Sequence, residues 1–174
     1  PLTSSKTTHM KATLLMRQKV IVFWILAAFC KPVFAVNLTP EQVPESKRTQ
    51  DQHYLLPQEV FDFKTQEATQ TLLVDIRTPS ELQFVGYTPL IDGNVPYITY
   101  DYSDWDDKNK EYKREFNSGF AGQVEALLKK SGVSGGKQAR IILMCRSGDR
   151  SAKAADLLAK SGFTSSSARS PPET

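Results

Sequence analysis

The sequence has little sulfur chemistry and little histidine. Its 174 residues contain two cysteines, Cys30 and Cys145, and two histidines, His9 and His53. Two cysteines cannot build the disulfide framework of a small secreted scaffold. His53 lies in a polar leading segment, so a cysteine–histidine dyad of the protease type has no evident partner. An apolar run of the ~20 residues needed to cross a bilayer is also missing, the longest being Val20–Phe29 (VIVFWILAAF). A charge of one sign is lacking too: 22 Lys and Arg stand against 19 Asp and Glu. Five of the basic residues (Lys6, Lys11, Arg17, Lys19 and Lys31) and none of the acidic ones fall in residues 1–35. That leaves 17 basic against 19 acidic residues, a balance of −2, so the overall +3 is no nucleic-acid signal. Hydrophobic residues at 40% and charged residues at 24% exclude a disordered or collagen-like chain.

What is present begins with an address. Basic residues precede the apolar run, and Cys30-Lys31-Pro32 and Val33-Phe34-Ala35 follow it, in the order of a secretory signal peptide over 1–35. Residues 1–9, upstream of Met10, read as an over-read of the start. Export to a periplasmic compartment is expected, with an uncleaved N-terminal anchor as the alternative and the only membrane contact. Cleavage removes Cys30 and leaves Cys145 as a lone thiol where thiols usually pair. Such a cysteine is either buried and inert or kept for its reactivity.

Residues 36–56 are polar, contain Pro40 and Pro44, and read as a linker. The domain is expected over 57–164. Pro57 suits the first turn of a helix, with Glu59 and Asp62 complementing its dipole. Leu72–Ile76 is a short buried strand ended by Arg77-Thr78-Pro79, and Thr78–Leu82 starts a capped helix. Asn94–Tyr100 is β-branched and aromatic, a second strand that Pro96 confines to an edge or a beginning. Asp101–Lys113 is charged and reads as a solvated excursion, including the cluster Asp104-Trp105-Asp106-Asp107. Phe120–Lys130 has helical spacing, Arg140–Met144 is the strongest buried strand, and Ala152–Lys160 is a helix closed by Gly162. Strands alternating with helices predict an α/β fold: one domain whose mainly parallel central sheet is flanked by helices.

The chemistry is concentrated between Cys145 and Ser151. A buried strand delivers a cysteine to the carboxyl end of a sheet, where open α/β folds bind ligands. The residues Arg146-Ser147-Gly148-Asp149-Arg150 then wrap into a helix start, where backbone N–H groups converge on an anion. Those amides and the two arginines favour the thiolate over a thiol whose ordinary pKa is about 8.5. They would equally hold an anionic substrate or a persulfide.

Cys145-Arg146-Ser147-Gly148-Asp149-Arg150-Ser151 resembles the Cys-x-x-Gly-x-Arg-Ser active loop of the rhodanese-like sulfurtransferases. Asp75-Ile76-Arg77-Thr78-Pro79-Ser80-Glu81 resembles that family's Asp-x-Arg…Glu motif. Gly86-Tyr87 and Gly93-Asn94 occupy the segment where the family often has Gly-His-Ile-x-Gly-Ala, so Tyr87 stands where histidine is common. The resemblance spans roughly Pro57–Phe163. It implies a persulfide relay in which Cys145 takes a sulfane sulfur from a small anionic donor such as thiosulfate. Cyanide, a thiol or a protein acceptor would then receive that sulfur. Arg146, Arg150 and the loop residues Ser147, Gly148, Asp149 and Ser151 would hold the donor and the persulfide. No metal and no organic cofactor are implied. Asp75, Arg77 and Glu81 read as structural, with Glu81 expected to meet Arg77 a helical turn away.

Three rivals remain. A cysteine phosphatase has five residues between its cysteine and arginine, whereas four separate Cys145 from Arg150. A non-enzymatic binding module is open to any fold. A thiol redox protein wants a second nearby cysteine. Finally, Ser165–Thr174 is polar and rich in Ser and Pro, so it reads as a disordered tail. The strand and helix that close the family's fold are therefore expected to be missing, as in a truncated or frameshifted product.

Overall fold

A computed structural model describes residues 40–169 apart from Gln52. The proposed signal peptide with Cys30, the start of the linker and the last residues of the tail lie outside the described residues. Two short 3-10 turns and a two-residue strand β1 (Tyr54–Leu55) lead into helix α1 (Pro57–Gln66), and a third 3-10 turn leads from it into strand β2 (Thr71–Asp75). Helix α2 (Pro79–Val85), strand β3 (Gly93–Asn94) and the pair β4 (Ile98–Asp106) and β5 (Glu111–Phe116) follow. Helix α3 (Phe120–Lys130), strand β6 (Arg140–Met144), helix α4 (Asp149–Lys160) and strand β7 (Ser166–Arg169) complete the described chain. Among the described residues no helix is long and apolar enough to cross a membrane.

Five strands form one sheet in the order β1-β7-β6-β2-β3, and every pairing in it is parallel. The fold is therefore α/β with a mainly parallel central sheet. Strand β6 is apolar from Ile141 to Met144 because it is flanked on both sides and covered on both faces. The period of two sorts its side chains. Leu72, Val74, Ile76, Ile141, Leu143 and Cys145 join Phe120, Val124 and Leu128 of α3 and Ala154, Ala155 and Leu158 of α4 in the larger core. Leu73 and Ile142 face the other way, against Val60 of α1. Cys145 thus continues the buried face of β6.

Four expectations need correction. The 36–56 linker carries β1, and its Val43, Thr49 and Tyr54 are buried. The expected second strand is two strands: β3 at the sheet edge, then β4 outside the main sheet. Pro96, lacking an N–H, falls between them. The expected solvated excursion is an antiparallel hairpin, β4 with β5, whose turn is held by Asp106 Oδ1 accepting from the N–H groups of Lys108 and Asn109.

The polar tail is the largest departure. Ser166–Arg169 is strand β7, inserted between β6 and β1, with Ser166, Ser167 and Ala168 buried. A strand stands where a disordered tail was expected. No apolar run marks it because small side chains fit under α4, where Ser166 Oγ donates to Ala155 O at 3.3 Å. Ladder bonds to two neighbours supply what side-chain burial does not.

Deleting residues 166–174 should strip the partner from β6 and abolish a cooperative thermal transition; a tail would be dispensable. Leu143→Ala, in the larger core, should cost about 2–5 kcal/mol in denaturant unfolding.

Candidate active site

The carboxyl ends of β2 and β6 lie side by side, since Asp75 pairs with Met144. From there the chain leaves β2 toward β3 on one side and β6 toward β7 on the other. Such a divergence at the strand ends is the usual ligand position in open parallel sheets. Both resemblance motifs, Asp75–Glu81 and Cys145–Ser151, begin there.

Cys145 is a free cysteine, only 5% exposed. Gly148 adopts φ 96° and ψ −22°, a left-handed conformation suited to glycine, and is the residue before the first turn of α4. This turns its N–H back to donate to Cys145 Sγ at 3.2 Å. The thiol meets Ser151 Oγ at 3.5 Å, and Ser151 Oγ donates to Gly148 O at 2.9 Å. Ser151 thus ties the sulfur and the glycine turn to the helix. The loop is stiffened again by Ser147 Oγ donating to Asp149 Oδ2 at 2.5 Å. The sulfur lies at the positive end of a 12-residue helix, whose first N–H groups have no partner within the helix.

The two loop arginines have different fates. Arg150 donates from both terminal nitrogens to Glu81, Nη1 to Oε2 at 2.6 Å and Nη2 to Oε1 at 2.7 Å. This two-pronged bond holds the Glu81 carboxyl down at about 2, and burial opposes the shift only in part. The same bond raises the Arg150 guanidinium above its ordinary range, with burial opposing the shift and the Glu81 charge adding to it. Arg146 is exposed and has no ion pair among the described residues. The fork expected to hold an anion is therefore filled by Glu81, and Arg146 is the loop cation that faces solvent.

The expected contact of Glu81 with Arg77 is corrected as well. Arg77 is paired with Asp75, with its Nη2 at 2.6 Å from Asp75 Oδ2 and its Nε at 3.0 Å from Oδ1. The remaining reach of Nη2 goes to Gly86 O at 2.9 Å. Glu81 is meanwhile aimed by a capping box: Thr78 Oγ1 accepts from Glu81 N, and Glu81 Oε2 accepts from Thr78 N at 2.9 Å. Asp75 and Arg77 hold the turn, as expected of structural residues. Asn94 was not singled out by its sequence neighbourhood, yet its Nδ2 donates to both Asp75 O and Arg77 O, at 2.8 and 2.9 Å. No spacing rule marks a single asparagine on a strand of two residues. Among the described residues no group of His, Cys, Asp and Glu is placed to hold a metal.

The Glu81 carboxyl is depressed in the folded chain, so its pairing adds stability that is complete above the ordinary value of 4.5. That stability is lost as pH falls toward about 2. Glu81→Gln should lower the melting temperature at neutral pH and flatten the wild-type decline between those two values. A variant whose acid profile matches wild type would contradict the pairing.

The chain matches no protein-family model and no curated protein. Among solved structures it is similar to Rv0390 from M. tuberculosis, with 20% sequence identity over 67% of this chain and 76% of that one, at a TM-score of 0.40.

Proposed function

We propose that the chain is an exported sulfurtransferase that carries a sulfane sulfur on Cys145. One observation carries this reading: a buried free thiol that accepts the Gly148 N–H at the head of a helix. That environment suits an anionic sulfur, whether thiolate or persulfide. In the first half-reaction the Cys145 thiolate attacks the outer sulfur of thiosulfate. The S–S bond of the donor breaks, and sulfite leaves with its electron pair. In the second, a thiolate or cyanide attacks the terminal sulfur of the persulfide, and the Cys145 thiolate is the leaving group. Splitting the transfer through a covalent intermediate is nucleophilic catalysis.

Within this scheme the arginines divide the work. Arg150, clamped by Glu81, holds the loop in shape near the sulfur. Arg146 is left to meet the charge of the incoming donor. The arrangement is poorly suited to phosphate, which would need the guanidinium that Glu81 occupies.

Incubation with thiosulfate should add one sulfur atom to the intact mass, and Cys145→Ser should abolish the gain. Arg146→Ala should lower kcat/KM for thiosulfate about tenfold, the scale of one charge-assisted contact. Sulfur uptake that is absent in wild type would favour the binding-module reading. Turnover of a phosphate ester without sulfur uptake would favour the phosphatase.

A further inference from the structure

The hairpin β4–β5 carries a line of exposed aromatic rings beside the candidate site. Tyr102 meets Tyr112 edge to face at 5.1 Å between centroids, and Tyr112 meets Trp105 in the same way at 5.1 Å. Tyr102 is 60% exposed and Trp105 48%. Strand periodicity alone would put Tyr102 and Trp105 on opposite faces, being three residues apart. The register shift between Asp101 and Trp105 brings Trp105 across onto Tyr112. The bulge thus gathers the rings into one strip instead of distributing them over two faces.

The strip is anchored to the site. The Tyr102 hydroxyl shares a 2.8 Å hydrogen bond with Ser80 Oγ, and Ser80 precedes Glu81, the partner of Arg150. Tyr100, on the same strand, lies within electrostatic reach of Arg150. Phe84, one helical turn beyond Ser80 on α2, is also exposed and extends the apolar surface along the same helix face.

Charge indicates what the strip accepts. Residues 98–116 contain six carboxylates (Asp101, Asp104, Asp106, Asp107, Glu111 and Glu115) against four cations, a balance of −2. Three of those cations are paired within the hairpin: Lys110 to Asp107, Lys113 to Asp104 and Arg114 to Glu111. Exposed ring faces and surplus carboxylates both favour Lys and Arg on a partner. An anionic bilayer would be repelled by the same carboxylates.

We infer that the strip Tyr102–Tyr112–Trp105 docks a basic protein surface that brings an acceptor thiol to Cys145. This rests on the sulfurtransferase reading and names its acceptor class. Aromatic anchors would supply the binding, and the link through Ser80 would fix the distance to the loop.

The test uses a short peptide with one cysteine flanked by Arg and Lys, the same peptide with Glu in their place, and dithiothreitol. The wild-type persulfide should pass to the basic peptide with kcat/KM roughly tenfold above the acidic one. The double variant Trp105→Ser, Tyr112→Ser should lose that preference and keep the wild-type rate with dithiothreitol, which also reports an intact fold. Equal rates with the two peptides, or a preference that survives the double variant, would overturn the inference. A second arm needs no sulfur: calorimetric titration of Cys145→Ser protein with the basic peptide carrying Ser for Cys. Binding there should weaken in high salt and vanish in the double variant. If Cys145 never loads sulfur, the sulfurtransferase reading fails while this titration still decides the docking. Cosedimentation with anionic phospholipid vesicles, lost in the double variant, would reassign the strip to a membrane.

Discussion

Arg150 and Glu81 stand 69 residues apart in sequence, and their two-pronged ion pair joins the loop after β6 to the helix after β2. Much else at this end of the sheet is arranged around it. The capping box at Thr78 aims the carboxylate, and the Asp75–Arg77 pair fixes the turn from which that helix starts. Gly148 and Ser151 set the helix on which Arg150 rides. Removing one partner would leave a partly buried charge unmatched, which is more costly than losing a surface pair.

That pair also bears on the chemistry proposed for Cys145. On the proposed sulfurtransferase reading, a guanidinium committed to Glu81 cannot offer its fork to a donor anion, so recognition would fall to the exposed Arg146 and to backbone N–H groups. The sulfur is then held mainly by a helix end and the Gly148 amide. Such dipoles need no reorganisation when charge develops on sulfur. A thiol in this position is sheltered from bulk solvent, and the aromatic hairpin is tied through Tyr102 and Ser80 to the helix that carries Glu81.

Local rules recovered the elements that satisfy them. Phe120–Lys130 and Arg140–Met144 were legible to the residue, because helix and strand periods are written in their apolar spacing. The order strand, cysteine, glycine, helix was likewise legible, since a loop of four residues between two clear elements has few ways to run. Where side chains carry no pattern, the reading failed. Strand β7 reads Ser-Ser-Ala-Arg, and β1 has two residues. The hairpin looked like a charged loop because its aromatic pairs are made across strands, which one-dimensional spacing does not record.

From the sequence alone came the α/β class and the setting of Cys145 at a strand end, because these follow from composition, periodicity and local turn chemistry. Tertiary structure decided the partners. Arg77 took Asp75, Glu81 took Arg150, and a polar stretch became a central strand because the neighbours β6 and β1 presented hydrogen-bonding edges to it. Side-chain pairing between distant residues depends on where parallel strands end, and backbone pairing on which edges remain open. Neither quantity exists until the chain has folded.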